Sequence, residues 1–177
     1  IKKQYRGYSF MFSAIVYKST TGSCKKYADL LSARLHIPAF PLGKEYIPAD
    51  TKIIYVGWLF AGKIMGYDKA AKKYDIGAVV QVGMSPVSAK SEEVCREKNA
   101  VCADVPVFTR QGAFNINKLP PHFRFIMKIK NKEIAARFEG KENLSDAQKA
   151  TYKMASTGVG EPPCWCVDDI VKWCAEH

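Results

Sequence analysis

Residues 12–35 read FSAIVYKSTTGSCKKYADLLSARL, and this stretch decides the fold. Its first six residues are a short apolar run rich in β-forming side chains, which predicts a strand. A cluster of Ser, Thr and Gly follows, and in residues 25–35 apolar side chains recur at helical spacing with charges between them. The stretch therefore predicts a strand, a polar loop containing one glycine, and a helix.

Strand and helix patterns continue to alternate along the chain. Residues 53–56 and 76–82 are apolar runs typical of parallel strands covered on both faces. The prolines in residues 37–42 indicate an edge strand, and residues 105–111 predict a fifth strand. This alternation predicts an α/β fold with a doubly wound parallel sheet. Five further helices are predicted, over residues 67–74, 90–99, 123–132, 143–156 and 168–175. Pro120 and Pro121 could open the helix over 123–132, and Ser145 is the predicted N-cap within 143–156.

The 177 residues have an ordinary globular composition, with 47% hydrophobic and 25% charged residues. We expect one domain over residues 11–177, with residues 1–10 as an N-terminal extension. No apolar stretch is long enough to span a bilayer and no signal peptide is recognised, so we expect a cytoplasmic protein. The net charge of +10 attracts anions, but no nucleic-acid-binding motif accompanies it, and we expect no nucleic-acid partner.

The six cysteines are scattered along the chain, which fits reduced thiols better than a disulfide framework. Cys164-Trp165-Cys166 lacks the two-residue spacing of a zinc knuckle or a thioredoxin motif. Metal binding at these cysteines is an alternative that the spacing supports only weakly, and no metal site is predicted.

The polar loop after the first strand has the features of an anion site. At the N-terminus of a helix, unpaired backbone N–H groups and the helix dipole attract negative charge, and hydroxyls can add hydrogen bonds. The loop lacks the lysine spacing of an NTPase P-loop and the three spaced glycines of a dinucleotide fingerprint, so it suits a single terminal phosphate. Lys25 and Lys26 follow and could add positive charge. The alternative is an ordinary connection whose hydroxyls only cap the helix. The candidate residues are Ser19, Thr20, Thr21, Gly22, Ser23 and Cys24.

Three segments resemble the flavodoxin superfamily, in particular its branch of menaquinone-dependent protoporphyrinogen IX dehydrogenases. They are YKSTTGSCKKYADLL (residues 17–31), IIYVG (53–57) and QGAFNINKLPPHFRFIMKIKNK (111–132). The resemblance implies a three-layer, doubly wound sheet of five parallel strands in the order 2-1-3-4-5, with FMN as cofactor at the switch point. The family's phosphate loop commonly ends in Thr, where this chain has Cys24.

The resemblance also implies the loops that would hold the flavin ring. Trp58 could instead be a core tryptophan, but its position directly after a buried strand favours the ligand. Phe60 fits either role, and Met84 fits packing better than chemistry. No catalytic acid or base is predicted, because a flavin can transfer hydride or electrons by itself. The implied ring contacts are Trp58, Leu59, Phe60, Ala61, Gly62, Gly83, Met84, Ser85, Gly112 and Ala113.

Residues 122–132 (HFRFIMKIKNK) interleave apolar and basic side chains. On a helix, such a pattern could lie at a membrane interface, here the inner membrane face, or contact a quinone-carrying surface. The interpretation we prefer from the sequence is a helix that covers the sheet and turns a basic side to solvent.

Three functions are compatible with these patterns. The first is an FMN-dependent oxidoreductase that passes electrons or hydride between a small substrate and a quinone-type acceptor. The second is a flavodoxin-like electron carrier with no substrate of its own, against which the positive charge argues because such carriers usually present acidic faces. The third is a protein of this fold that no longer binds FMN, an alternative that the unusual Cys24 keeps open.

Overall fold

The computed structural model describes residues 12–86 and 88–177. The expected N-terminal extension, residues 1–10, lies outside the described residues. The elements in chain order are β1 (Ala14–Lys18), α1 (Ser23–Leu35), β2 (Ala39–Pro41), β3 (Lys52–Phe60), β4 (Lys63–Ile64), α2 (Tyr67–Ala71), β5 (Asp75–Gly83), α3 (Ala89–Asn99), β6 (Val107–Gln111), β7 (Phe114–Asn115), α4 (Pro121–Ala136), α5 (Asp146–Thr157), β8 (Val159–Gly160) and α6 (Asp168–Glu176).

The sheet has five parallel strands in the order β2-β1-β3-β5-β6, and the short β4 folds back antiparallel on the end of β3. Counting the parallel strands alone, this is the predicted order 2-1-3-4-5. The predicted flavodoxin-like α/β fold is therefore confirmed. The predicted edge strand is also at the edge, since β1 is the one strand among the described residues that pairs with β2.

Helices cover both faces of the sheet, because its strands alternate apolar side chains between two cores. On one face Ile15 and its neighbours pack against α1 and α6 through Leu31 and Ile170. On the other face Val16 and its neighbours pack against α2 and α3, with Cys95 contributed by α3. The resulting three layers leave the carboxyl ends of the strands open as one edge.

A smaller cluster forms beyond the sheet from the segment between β6 and α6. Phe114, Leu119 and Met154 are its buried members, and β7 and β8 pair antiparallel beside it. The predicted N-cap Ser145 opens α5 with a capping box, in which its side chain accepts from Gln148 N–H while the Gln148 side chain accepts from Ser145 N–H. This cluster stands next to the open edge of the sheet.

Helix α4 does not cover the sheet, so the interpretation preferred from the sequence is wrong. It packs against α5 and the 3₁₀ turn Ile116–Lys118, and of its sixteen residues only Asn131 is buried. The physical reason is that α1, α6, α2 and α3 already occupy both faces of the sheet. Among residues 12–86 and 88–177, no helix has both the length and the apolar character needed to cross a bilayer.

Candidate functional site

A cleft opens at the carboxyl ends of β1, β3, β5 and β6. Such an edge is where parallel α/β sheets bind ligands. Twelve of the sixteen candidate residues line it, namely Ser19, Thr20, Thr21, Ser23, Cys24, Trp58, Leu59, Phe60, Gly83, Met84, Gly112 and Ala113. The structure thus brings together four segments that lie far apart in the sequence.

The loop between β1 and α1 presents an uncapped helix N-terminus to the cleft. Gly22 is the N-cap, with a φ of 104° that favours glycine, and no side chain of the described residues caps the helix. The alternative in which the loop hydroxyls serve as helix caps is therefore wrong. The Ser19 hydroxyl is buried and has no hydrogen-bond partner among the described residues. Unpaired backbone N–H groups and a free hydroxyl are the donors that an anion needs.

The segment after β6 is hydrogen-bonded to the first residue of α1. The Ser23 hydroxyl donates to the Ala113 carbonyl at 2.9 Å, and Gly112 N–H donates to the Gly83 carbonyl at 2.8 Å. A Cβ on Gly112 would lie only 2.6 Å from Val82 Cγ1 and 2.9 Å from Ser23 Cβ, so this approach requires glycine. These contacts fix the position of the segment after β6 relative to the N-terminus of α1.

Cys24 lies where the loop enters the core. It is 1% exposed and packs with the core residues beneath α1. Burial raises the pKa of the Cys24 thiol far above its ordinary value, although a backbone hydrogen bond partly opposes this. The thiol is therefore neutral and places no negative charge beside an anion in the loop.

The two lysines behind the loop have different surroundings. Lys25 is paired with Asp29 at 2.6 Å, whereas the Lys26 ammonium lies 3.9 Å from the centre of the Trp165 ring. Lys26 also lines an open recess beside Gly22, and Lys118 lies on the same recess. Lys118 is a cation near the loop that the sequence reasoning missed, since it comes from the distant 3₁₀ turn.

The segment expected to be a ring-binding loop is a β-hairpin. Strand β3 runs through Trp58 to Phe60, and Ala61 and Gly62 form the turn with positive φ angles of 51° and 83°. The Asn99 side chain holds this hairpin, accepting from Ile64 N–H at 2.8 Å and donating to the Gly62 carbonyl at 2.9 Å. The ring-side wall is thus more rigid than a free loop.

Aromatic side chains form one wall of the cleft. Trp58, Phe60 and Phe123 contact one another edge to face, with ring centroids 4.7 to 6.1 Å apart. Trp58 is half-buried, and its Nε1 is buried without a hydrogen-bond partner among the described residues. Its indole lines the cleft and also packs against the core beneath the sheet edge.

Phe123 and Met127 of α4 belong to the cleft, and sequence reasoning did not assign them to it. Both lie in the segment 111–132 whose order of aromatic and basic residues was noted, but the pattern does not tell which side of the helix turns inward. With Phe114 and Leu119 they close the cleft on the side away from the sheet.

A buried polar network fixes the loop after β5. The Met84 carbonyl accepts from Gln111 Nε2 and from the Thr151 hydroxyl, each at 3.0 Å. Gln111 Nε2 also donates to the Thr151 hydroxyl at 2.9 Å. Gln111 and Thr151 are both buried, so this network is shielded from water and locks the loop against α5.

A second chamber, partly open to solvent, adjoins the cleft. Phe60, Met84 and Met127 line both spaces, and the other walls of the chamber are mainly apolar side chains of α3 and α4. Three candidate residues that do not line the cleft line this chamber, namely Ala61, Gly62 and Ser85. The remaining one, Gly22, lines the recess beside Lys26.

Comparisons of the chain with protein families, with curated proteins and with solved structures found no match. The assignment of a function therefore depends on the residues and their geometry.

Proposed function

We propose that this protein binds FMN and is an FMN-dependent oxidoreductase of the flavodoxin superfamily. The observation that carries the proposal is one cleft lined by two chemically different sets of groups. One set is the uncapped N-terminus of α1 with the unpaired Ser19 hydroxyl, and the other is the Trp58 and Phe60 rings. A phosphate joined to a flat aromatic ring system needs both sets.

The residues present fit the cofactor. Backbone N–H groups of the first turn of α1, at Ser23 and Cys24, with the hydroxyls of Ser19 and Thr20, would hold the phosphate. Cys24 does not obstruct this role, because its thiol is neutral and turned into the core. The resembled family commonly has threonine where this chain has Cys24, so this loop has one hydroxyl donor fewer, but its other hydroxyls and backbone N–H groups remain.

The ring would occupy the apolar end of the cleft. Trp58 offers an aromatic wall, and Gly83, Gly112 and Ala113 also line this cleft. When bound, FMN supplies the redox chemistry as the carrier of one or two electrons. The chain's own residues orient the ring and exclude water from it, since Phe123 and Met127 close the cleft.

The second chamber favours an enzyme over an electron carrier. A carrier needs only an exposed ring edge, whereas this chamber is a mainly apolar space next to the cofactor cleft. Such a space suits an apolar redox substrate, and we propose a quinone-type acceptor there. The carrier and the protein without FMN are the two alternatives, and we place the protein in the cytoplasm or at the inner membrane face.

The visible spectrum of the purified protein is the first test. We expect flavin absorption bands and FMN in the supernatant after denaturation. Protein stripped of flavin should bind FMN at least about tenfold more tightly than riboflavin, because charged hydrogen bonds to the phosphate contribute more than 1.4 kcal/mol. Equal affinities would contradict the phosphate site, and a colourless protein that takes up neither compound would contradict the proposal.

The enzyme and the carrier differ in turnover. After the bound FMN has been reduced chemically with dithionite, a soluble quinone analogue should reoxidise it at a rate that saturates with quinone, because the second chamber binds the quinone. A carrier should exchange electrons with a reductase but show no saturation with the quinone. Ile134→Arg, which puts a charge into the chamber wall but not into the cleft, should weaken quinone saturation while leaving FMN affinity unchanged.

A further inference from the structure

The outward face of α4 carries large apolar side chains in solvent. Phe125 is 69% exposed, Ile129 is 51% exposed and Ile126 is 40% exposed. Phe125 and Ile129 are four residues apart, so they lie on the same side of the helix. The inward side of α4 is supplied instead by Phe123 and Met127, which pack at the cleft. No described residue covers the outward side.

Basic side chains border this apolar stripe on both sides. Lys128 and Lys132 line the groove between α4 and α5 together with Ile129. Lys130 lies on the other side, where it lines the second chamber with Ile126. The acidic residue of the helix, Glu133, follows Ile129 by four residues and is paired with Lys130 at 2.9 Å, so this side carries no net charge. The stripe is therefore an apolar band whose positive charge lies on the side of Lys128 and Lys132.

The charge pattern determines which partner fits this face. A second copy of the chain would bring the lysine rims of two α4 helices together, and like charges oppose such a contact. An anionic lipid surface has the complementary arrangement, because lysines reach its headgroups while the aromatic and branched side chains enter the acyl boundary. The net charge of +10 adds a favourable long-range attraction.

We propose that α4 docks this protein on an anionic bilayer through Phe125, Ile126 and Ile129, with Lys128 and Lys132 at the headgroups. Ile126 and Lys130 belong to the rim of the second chamber as well, so docking places that rim against the lipid. An apolar compound dissolved in the bilayer would then enter the chamber without crossing water. The docking goes beyond the proposed function and does not depend on bound FMN.

Vesicle flotation of the full chain tests the proposal. In about 0.05 M salt we expect the protein to float with vesicles containing roughly one third phosphatidylglycerol, and not with pure phosphatidylcholine. Salt at about 0.5 M should release most of it, since screening shortens the reach of the lysines. Protein with and without flavin should float equally, which separates this test from the test of FMN binding.

Two double variants separate the electrostatic contribution to vesicle binding from the apolar one. Lys128→Gln with Lys132→Gln should lower the partition coefficient by about 25-fold, since each lysine near an anionic surface contributes about fivefold. Phe125→Ser with Ile129→Ser should lower it by at least about tenfold at every salt concentration. Matched controls away from α4 are Tyr46→Ser, which removes a 93% exposed aromatic, and Lys44→Gln with Lys72→Gln. The controls should float like the wild type.

Three results would overturn the proposal. The first is no flotation with anionic vesicles in low salt. The second is equal flotation of the α4 variants and the controls. The third is a stable dimer in sedimentation that Phe125→Ser with Ile129→Ser dissociates, because the face would then belong to a second copy. Unchanged thermal unfolding of each variant shows that the fold is intact.

Discussion

Replacing Gly112 by alanine tests how the two sides of the cleft fit together. The added methyl would lie 2.6 Å from Val82 Cγ1, 2.9 Å from Ser23 Cβ and 3.0 Å from Ser23 Oγ. Carbon atoms normally approach to about 3.5 Å, so either α1 or the segment after β6 must move. Val82 is buried in the sheet and cannot swing away. Overpacking of this kind costs about 1–3 kcal/mol, and we expect a loss of about 2 kcal/mol in the free energy of unfolding.

The same substitution should weaken the phosphate end of the proposed site. Ser23 is the first residue of α1, and its hydroxyl bond to the Ala113 carbonyl holds the helix N-terminus in place. A shift of this residue misaligns the backbone N–H groups that would bind the phosphate. We expect FMN affinity to fall by about tenfold, equivalent to 1.4 kcal/mol, with a smaller effect on riboflavin.

Gly83→Ala is the matched control for Gly112→Ala. Both glycines line the cleft, but a Cβ on Gly83 would meet nothing closer than Leu59 Cδ1 at 3.4 Å, an ordinary contact. Urea unfolding should therefore place Gly83→Ala within about 0.5 kcal/mol of the wild type. Equal unfolding free energies for the two variants would refute the close-approach argument, and equal losses of FMN and riboflavin affinity would refute the link to the phosphate.

Three further predictions concern stability and reactivity. Thr151→Val removes the hydroxyl that donates to the Met84 carbonyl, and urea unfolding should show a loss of about 1–2 kcal/mol because the polar partners stay buried. Burial raises the pKa of Glu45, but hydrogen bonds from Lys73 and the Gly43 N–H outweigh it and hold that pKa at about 2. The lowered pKa means that ionised Glu45 stabilises the fold fully above about pH 4.5, and that this stabilisation declines as the pH falls toward 2. In thermal unfolding measured against pH, Lys73→Met should flatten the profile between these two values. An unchanged profile would contradict the pairing of Glu45 with Lys73. A thiol reagent at pH 8 should label three cysteines rapidly and three only after unfolding, and rapid labelling of all six would contradict the packing. The exposed, reactive cysteines are Cys102, Cys164 and Cys166, and the protected ones are Cys24, Cys95 and Cys174.

The sheet could be predicted because its strands carry their information locally. Residues 53–56 and 76–82 are apolar on both faces, and such runs fit a parallel sheet between two helical layers. The loop after β1 could be located for the same reason, since the strand, the glycine and the helix follow one another directly. Strand ends were less accurate: β3 continues to Phe60 because β4 pairs with it across the turn.

The closing wall of the cleft could not be predicted from sequence patterns. Apolar residues in α4 occur on more than one side of the helix, so periodicity does not tell whether Phe123 or Phe125 turns inward. The structure selects Phe123 because Trp58 and Phe60 offer it aromatic contacts. Asn99 presents a similar difficulty, since it holds the hairpin at Gly62 from 37 residues away.

Helix α4 connects the proposed site with the proposed membrane surface. Phe123 contacts the Trp58 ring with centroids 5.5 Å apart, and Phe125 lies on the opposite side of the same helix, exposed to solvent. A helix moves largely as a rigid body, so a surface that repositions Phe125 also repositions Phe123 against the cleft. The fluorescence of Trp58 is therefore expected to change when anionic vesicles are added, and Phe123→Leu should reduce that change without preventing flotation. The experiment uses protein in which the other two tryptophans are replaced by phenylalanine, so that the signal comes from Trp58 alone. If vesicles bind this protein but leave its fluorescence unchanged, the docking surface and the cleft are independent.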